Sequence, residues 1–96
     1  MLTISEIRDK VAKIGKKYGI KNAYLFGSYA KGVADEKSDI DIIIDRGEVN
    51  TYDEYFSLHE DLVNELGTEV DLLATDGVKP RFFELIKNDR ILLYGA

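Results

Sequence analysis

Three aspartates, Asp39, Asp41 and Asp71, stand in patterns that can support phosphoryl chemistry. Asp39 and Asp41 open a run, Ser38 to Asp45, whose isoleucine content predicts a strand. Side chains alternate along a strand, so Ile40, Ile42 and Ile44 share one face. Asp39, Asp41, Ile43 and Asp45 share the other. Carboxylates at i and i+2 stand roughly 6.5–7 Å apart at the backbone. Their side chains can converge on ions roughly 3.5–4 Å apart, the spacing of two-metal phosphoryl-transfer sites. Glu69 to Ala74 predicts a further strand with the same logic: Val70, Leu72 and Ala74 on one face, Glu69, Asp71 and Leu73 on the other. In both strands the second face starts acidic and continues apolar, which predicts that both are central in the sheet, with the acids at its mouth. If Asp71 arrives from a strand beside Asp41, three carboxylates meet. Alone they repel and their pKa values rise; with Mg²⁺, which prefers oxygen ligands and keeps several waters, they become a catalytic platform.

A lone Asp-x-Asp is more often a solvated strand end, so a second motif matters. Gly27-Ser28-Tyr29-Ala30-Lys31-Gly32 follows the apolar run Ala23–Phe26. It predicts a strand that turns abruptly into a short helix. Gly27 permits close backbone approach, Ser28 adds a hydroxyl donor, and the amides beyond form an anion cradle. Lys31 either adds charge near a bound phosphate or is a solvated helix lysine. A triphosphate needs donors at its far end and metal at its near end. The Gly-Ser turn and the three aspartates together offer both.

These motifs need a scaffold, and the hydrophobic spacing supplies one. Ile4, Ile7, Val11 and Ile14 predict an amphipathic helix, with Thr3 and Glu6 as a capping box and Gly19 as its stop. Thr51 and Glu54 repeat that box before Tyr55, Phe56, His59, Leu62, Val63 and Leu66, ended by Gly67. Thr75-Asp76-Gly77 reads as a turn. Pro80 opens a short helix carrying Phe82, Phe83, Leu85 and Ile86, and Ile91 to Tyr94 closes the chain as a strand. Helices alternating with strands predict an α/β (α+β) fold, a small mixed sheet covered by helices, with residues 1–96 as one domain.

Composition narrows the chemistry. Cysteine is absent and His59 is the single histidine, which excludes disulfides, thiolate metal sites, cysteine nucleophiles and a histidine-rich cage. Thirteen Lys and Arg against 18 Asp and Glu leave a net charge of −5, a poor balance for direct nucleic-acid binding. No signal-peptide profile stands at Met1 and no apolar run nears the roughly 20 residues that span a bilayer, so no membrane role is expected and the cytoplasm is the expected address.

The combined motifs resemble a known family. Gly27-Ser28-x-Ala30-Lys31-Gly32, then Ser38-Asp39-Ile40-Asp41, then Glu69-Val70-Asp71-Leu72 are similar to the minimal nucleotidyltransferase domain of the DNA polymerase beta superfamily. The nearest subgroup is the MNT-type proteins, commonly antitoxin partners of HEPN-domain RNase toxins. The chain departs from the family at Lys31, where Arg is common; the charge stays but the bidentate fork is lost. The resemblance implies a polymerase-beta-like fold, with Asp39, Asp41 and Asp71 holding two Mg²⁺ ions. It also implies that Asp71 takes the proton of the acceptor hydroxyl, while Gly27, Ser28 and Lys31 bind the phosphates of ATP. The expected reaction moves AMP, or another NMP, to a hydroxyl. Because no acceptor-binding domain is visible, that hydroxyl is expected on a HEPN toxin that the chain neutralises. Two alternatives stay open: a non-catalytic antitoxin that occludes the toxin, and a small-molecule nucleotidyltransferase whose acceptor site another subunit supplies.

Other residues read as structural. His59 is expected half-buried or at the surface, and Asp45 capped or solvated. Tyr29 is expected mainly as packing, and Phe82 and Phe83 as core or partner contact. Lys79 and Arg81 carry no assignment.

Overall fold

Thr3 and Thr51 each stand three residues before a glutamate, and both pairs close capping boxes in the computed structural model, which describes residues 1–95. The Thr3 hydroxyl accepts from the Glu6 amide at 3.1 Å, and the Thr3 amide donates to the Glu6 carboxylate at 2.9 Å. Thr51 and Glu54 repeat the exchange at 3.0 and 3.1 Å. Each box satisfies amides that would otherwise be orphaned at a helix start, so both long helices begin where the sequence predicts.

In chain order the elements are α1 (Ile4–Tyr18), β1 (Asn22–Phe26), α2 (Gly27–Lys31), β2 (Ile40–Asp45), α3 (Tyr52–Leu66), β3 (Val70–Ala74), a 3₁₀ turn (Thr75–Gly77), α4 (Pro80–Leu85) and β4 (Ile91–Gly95). The four strands form one mixed sheet in the order β3-β2-β1-β4. β1 runs antiparallel to both β2 and β4, whereas β2 and β3 are parallel. A parallel pair needs a crossover, and α3 provides it. No described helix is long and apolar enough to cross a membrane.

The alternation in β2 decides which face meets the helices. Ile40, Ile42 and Ile44 are fully buried, in one cluster with Ile7, Val11 and Ile14 of α1 and Leu58, Leu62 and Leu66 of α3. Burying a side chain of this size contributes roughly 1.5–3 kcal/mol. A one-residue slip of β2 would send Asp39, Asp41 and Asp45 into that core, so packing behind the sheet holds the acids in front of it.

The front face is covered more sparingly. Phe82 and Phe83 of α4 meet Phe26 and Tyr24 of β1 edge-on, with ring centres 5.7 and 5.8 Å apart. The Arg90 guanidinium lies 4.1 Å from the Phe83 ring centre. Ile43, on this same face, is fully buried.

Two expectations need correction. β2 starts at Ile40 and β3 at Val70, so Asp39 and Glu69 sit just ahead of their strands. β2 is central, but β3 is an edge strand. Its apolar content reflects how the edge is closed. The Glu69 carbonyl accepts from the Ile40 amide at 3.0 Å, so alternation turns the Val70 and Leu72 carbonyls outward. His59 Nε2 meets the Val70 carbonyl at 2.8 Å, and the Tyr55 hydroxyl donates to the Leu72 carbonyl at 2.8 Å. Two side chains one helical turn apart on α3 thus occupy the strand edge that would otherwise invite another chain.

Candidate active site

Strand register sets the site. Phe26 pairs with Asp41 across β1 and β2, and Asp41 pairs with Asp71 across β2 and β3. Adjacent strands lie about 4.8 Å apart, so Asp41 and Asp71 start from neighbouring positions on the front face. The next row on that face, Tyr24, Ile43 and Leu73, is apolar. The half-buried Asp41 carboxyl is pushed above its ordinary pKa, first by burial, then by the charge of Asp71, then by that of Asp39. Both other predicted acids therefore act on Asp41, the cross-strand neighbour more strongly than the sequence neighbour.

Asp39 is delivered by a knotted loop. The Asp35 amide donates to the Ser38 hydroxyl at 2.9 Å, the Lys37 amide to Asp35 Oδ1 at 2.9 Å, and the Ser38 amide to the Asp35 carbonyl at 3.1 Å. Asp and Ser at the two ends of a four-residue stretch are turn formers, a signal present in the sequence and passed over.

α2 begins directly above Asp41. Gly27 has φ +71°, and a methyl group built on it would overlap Oδ2 of Asp41 and stand 2.9 Å from its Cγ. Glycine is required there on both counts. The Gly-Ser turn and the acid row are therefore two walls of one site. Ser28 is half-buried and Lys31 exposed, and among the described residues neither side chain makes a hydrogen bond. The turn is held by its own backbone, with the Val33 amide donating to the Ser28 carbonyl at 3.0 Å.

The donor set suits a hard cation. Asp39, Asp41 and Asp71 offer only oxygen, and a divalent ion would offset both the burial and the neighbouring charges that raise Asp41. They are not a closed cage: among the described residues no group of three or more His, Cys, Asp or Glu side chains is arranged to hold a metal ion alone. An open arrangement of this kind fits Mg²⁺, which is commonly held by one or two carboxylates together with substrate phosphates.

Residues outside the acid row are absorbed by the scaffold. Asp45, expected capped or solvated, instead accepts from Asn22 Nδ2 at 2.8 Å and from the Thr75 hydroxyl at 2.6 Å, tying β2 to β1 and to the 3₁₀ turn. Tyr29 is buried in the core cluster. Lys79 and Arg81 are exposed. His59 caps the β3 edge, a role invisible in the sequence because it depends on where β3 lies. His59→Ala is expected to cost about 1 kcal/mol in a denaturation curve while leaving kcat within a factor of about two, the signature of a structural hydrogen bond.

The chain is similar to known proteins over nearly its whole length. The profile described as polymerase beta, nucleotidyltransferase matches residues 9–96. A candidate protein adenylyltransferase of Methanocaldococcus jannaschii is 40% identical over 96 residues, covering 95% of this chain and 98% of its own. Among solved structures, a toxin–antitoxin complex with AMP-PNP superposes with a TM-score of 0.79 at 24% identity, over 93% of this chain and 73% of that one. A tri-AMPylated Shewanella oneidensis HEPN toxin in complex with its MNT antitoxin gives 0.74 at 21%, over 98% and 74%. At these identities the two structures establish likeness of fold. The profile match over nearly the whole length, on a chain whose Gly-Ser turn and aspartates share one site, makes this protein a member of the polymerase beta nucleotidyltransferase family.

Proposed function

We propose that this chain is a protein adenylyltransferase acting as an antitoxin: it moves AMP from ATP to a hydroxyl on a HEPN-domain partner and so neutralises it. The observation that carries the reading is the juxtaposition of Gly27 over Asp41 with Asp71 at Asp41's side, because it joins a phosphate-binding turn to an acid cluster. The adenylyltransferase name of the Methanocaldococcus relative supports the reaction, and the AMP-PNP complex supports the nucleotide. The AMPylated toxin in the Shewanella complex supports the acceptor.

In this reading Gly27, Ser28 and Lys31 hold the outer phosphates. Asp71 takes the proton of the acceptor hydroxyl, whose oxygen bonds to the α-phosphorus. The bond from that phosphorus to the bridging oxygen of the β-phosphate breaks, and pyrophosphate leaves with the electron pair. Asp39, Asp41 and Asp71 would hold Mg²⁺, which would supply charge stabilisation for the phosphates. The chain's contribution is alignment and electrostatics, carried out by residues 1–96 as one minimal transferase domain. An ATP-dependent reaction on such a partner belongs in the cytoplasm. The test is label transfer with Mg²⁺ and a HEPN-domain protein offered as acceptor. Label from α-³²P-ATP is expected on the partner; label from γ-³²P-ATP alone rejects the reading.

A further inference from the structure

α3 carries a second stripe beside the one it buries. Leu58, Leu62 and Leu66 face the core, and Phe56, His59 and Val63 follow one another at i, i+3 and i+7 on a neighbouring face. With Glu60, Asn64 and Glu69 they line a groove of about 480 Å³. Phe56 is 64% exposed, although burying such a side chain contributes roughly 1.5–3 kcal/mol. The fold leaves that contribution unused.

The rim of the groove carries charge that the chain does not answer. α3 holds five acids and no Lys or Arg. Asp61 and Glu65 pair with Lys17 and Lys13 of α1 at 2.8 and 3.3 Å, and Glu54 closes its capping box. Glu60 and Glu69 are exposed, and among the described residues neither carboxylate has an ion pair or a hydrogen bond. An apolar floor between two unanswered carboxylates matches an amphipathic helix whose apolar stripe is flanked by Lys or Arg. A strand fits poorly, because the nearby Val70 and Leu72 carbonyls are taken by His59 and Tyr55. A second copy fits poorly too. Two-fold pairing would bring the same acids together, and the cation-rich α1 has its own apolar stripe, Ile7, Val11 and Ile14, buried.

We infer that the α3 groove docks a basic amphipathic helix of a partner protein. Docking there goes beyond the proposed transfer, because the groove contains none of the three aspartates and needs neither nucleotide nor metal.

The probe is a fluorescein-labelled peptide of about 15 residues, with leucine at i, i+3, i+4 and i+7 and lysine elsewhere. Its control carries glutamate in place of lysine. Fluorescence anisotropy at about 0.15 M salt is expected to show saturable binding of the lysine peptide and none of the glutamate peptide. Phe56→Asp leaves the core untouched and adds an attractive charge, yet is expected to raise Kd about tenfold or more through the lost apolar contact. Glu60→Lys combined with Glu69→Lys is expected to do the same. Glu84→Lys combined with Asp89→Lys changes the net charge equally outside the groove, and is expected to leave Kd within a factor of about two. No binding of the lysine peptide, an unchanged Kd in Phe56→Asp, or equal weakening by the Glu84 and Asp89 pair overturns the groove. So does a wild-type protein whose mass doubles in light scattering and reverts in Phe56→Asp, which would make a second copy the occupant. None of these readouts involves ATP, so loss of the groove leaves the transfer reaction standing.

Discussion

Asp41→Asn is expected to lower the rate of transfer about a thousandfold or more while raising the melting temperature. Asp41 sits at the centre of the acid row, beneath Gly27 and beside Asp71, so the loss of its charge removes the middle of the proposed metal platform. The same charge is a burden on the fold. Burial, Asp71 and Asp39 all hold its pKa above the ordinary carboxylate value, so folding favours the protonated form. The sign follows by linkage. Above the raised pKa the ionised carboxylate opposes folding, and the neutral amide of the variant removes that opposition. As pH falls through the folded-state pKa toward the unfolded value, the wild-type carboxyl protonates and its penalty disappears. The Tm advantage of the variant is therefore largest near neutrality and shrinks in acid, which paired calorimetric scans across pH would follow. A variant that loses both activity and stability at neutral pH would mean that Asp41 braces the structure.

Gly27→Ala is expected to be the most damaging conservative change, and Gly32→Ala is its control. Both glycines are left-handed, with φ of +71° and +75°. Any L residue there costs about 1–2 kcal/mol of backbone strain. At Gly32 nothing lies within 4 Å of the added methyl, so strain is the whole effect. For a domain of this size that lowers Tm by on the order of 5 °C or more, with activity largely retained. At Gly27 the methyl meets the Asp41 carboxylate, and either the turn or the carboxylate must move. A displacement near 1 Å can cost about a hundredfold in rate, so Gly27→Ala is expected to lower kcat about a hundredfold or more, beyond the stability loss shared with Gly32→Ala. Equal kinetics for the two variants would separate the Gly-Ser turn from the acid row.

What could be read from the residues was what local spacing decides. Capping boxes span three residues, and the isoleucine alternation of β2 spans six, so helix starts and the inward face of β2 follow directly from the sequence. Asp39 and Asp41 are visible for the same reason. Asp71 belongs to the site only if β3 pairs with β2 in one register, a condition the sequence states but cannot satisfy by itself. β3 is an edge strand although Leu73 continues its apolar pattern, so the pattern alone points to a central strand. The closure of that edge uses Tyr55 and His59 from α3, whose purpose appears only when helix and strand are packed together.

The central claim is that neutralisation is chemical, and the intact mass of the partner tests it most directly. The HEPN-domain protein co-expressed with the wild-type chain is expected to gain one or more AMP increments, and to gain none when Asp39→Asn and Asp41→Asn are combined. A partner that is fully neutralised with its mass unchanged would contradict the account and leave occlusion as the mechanism.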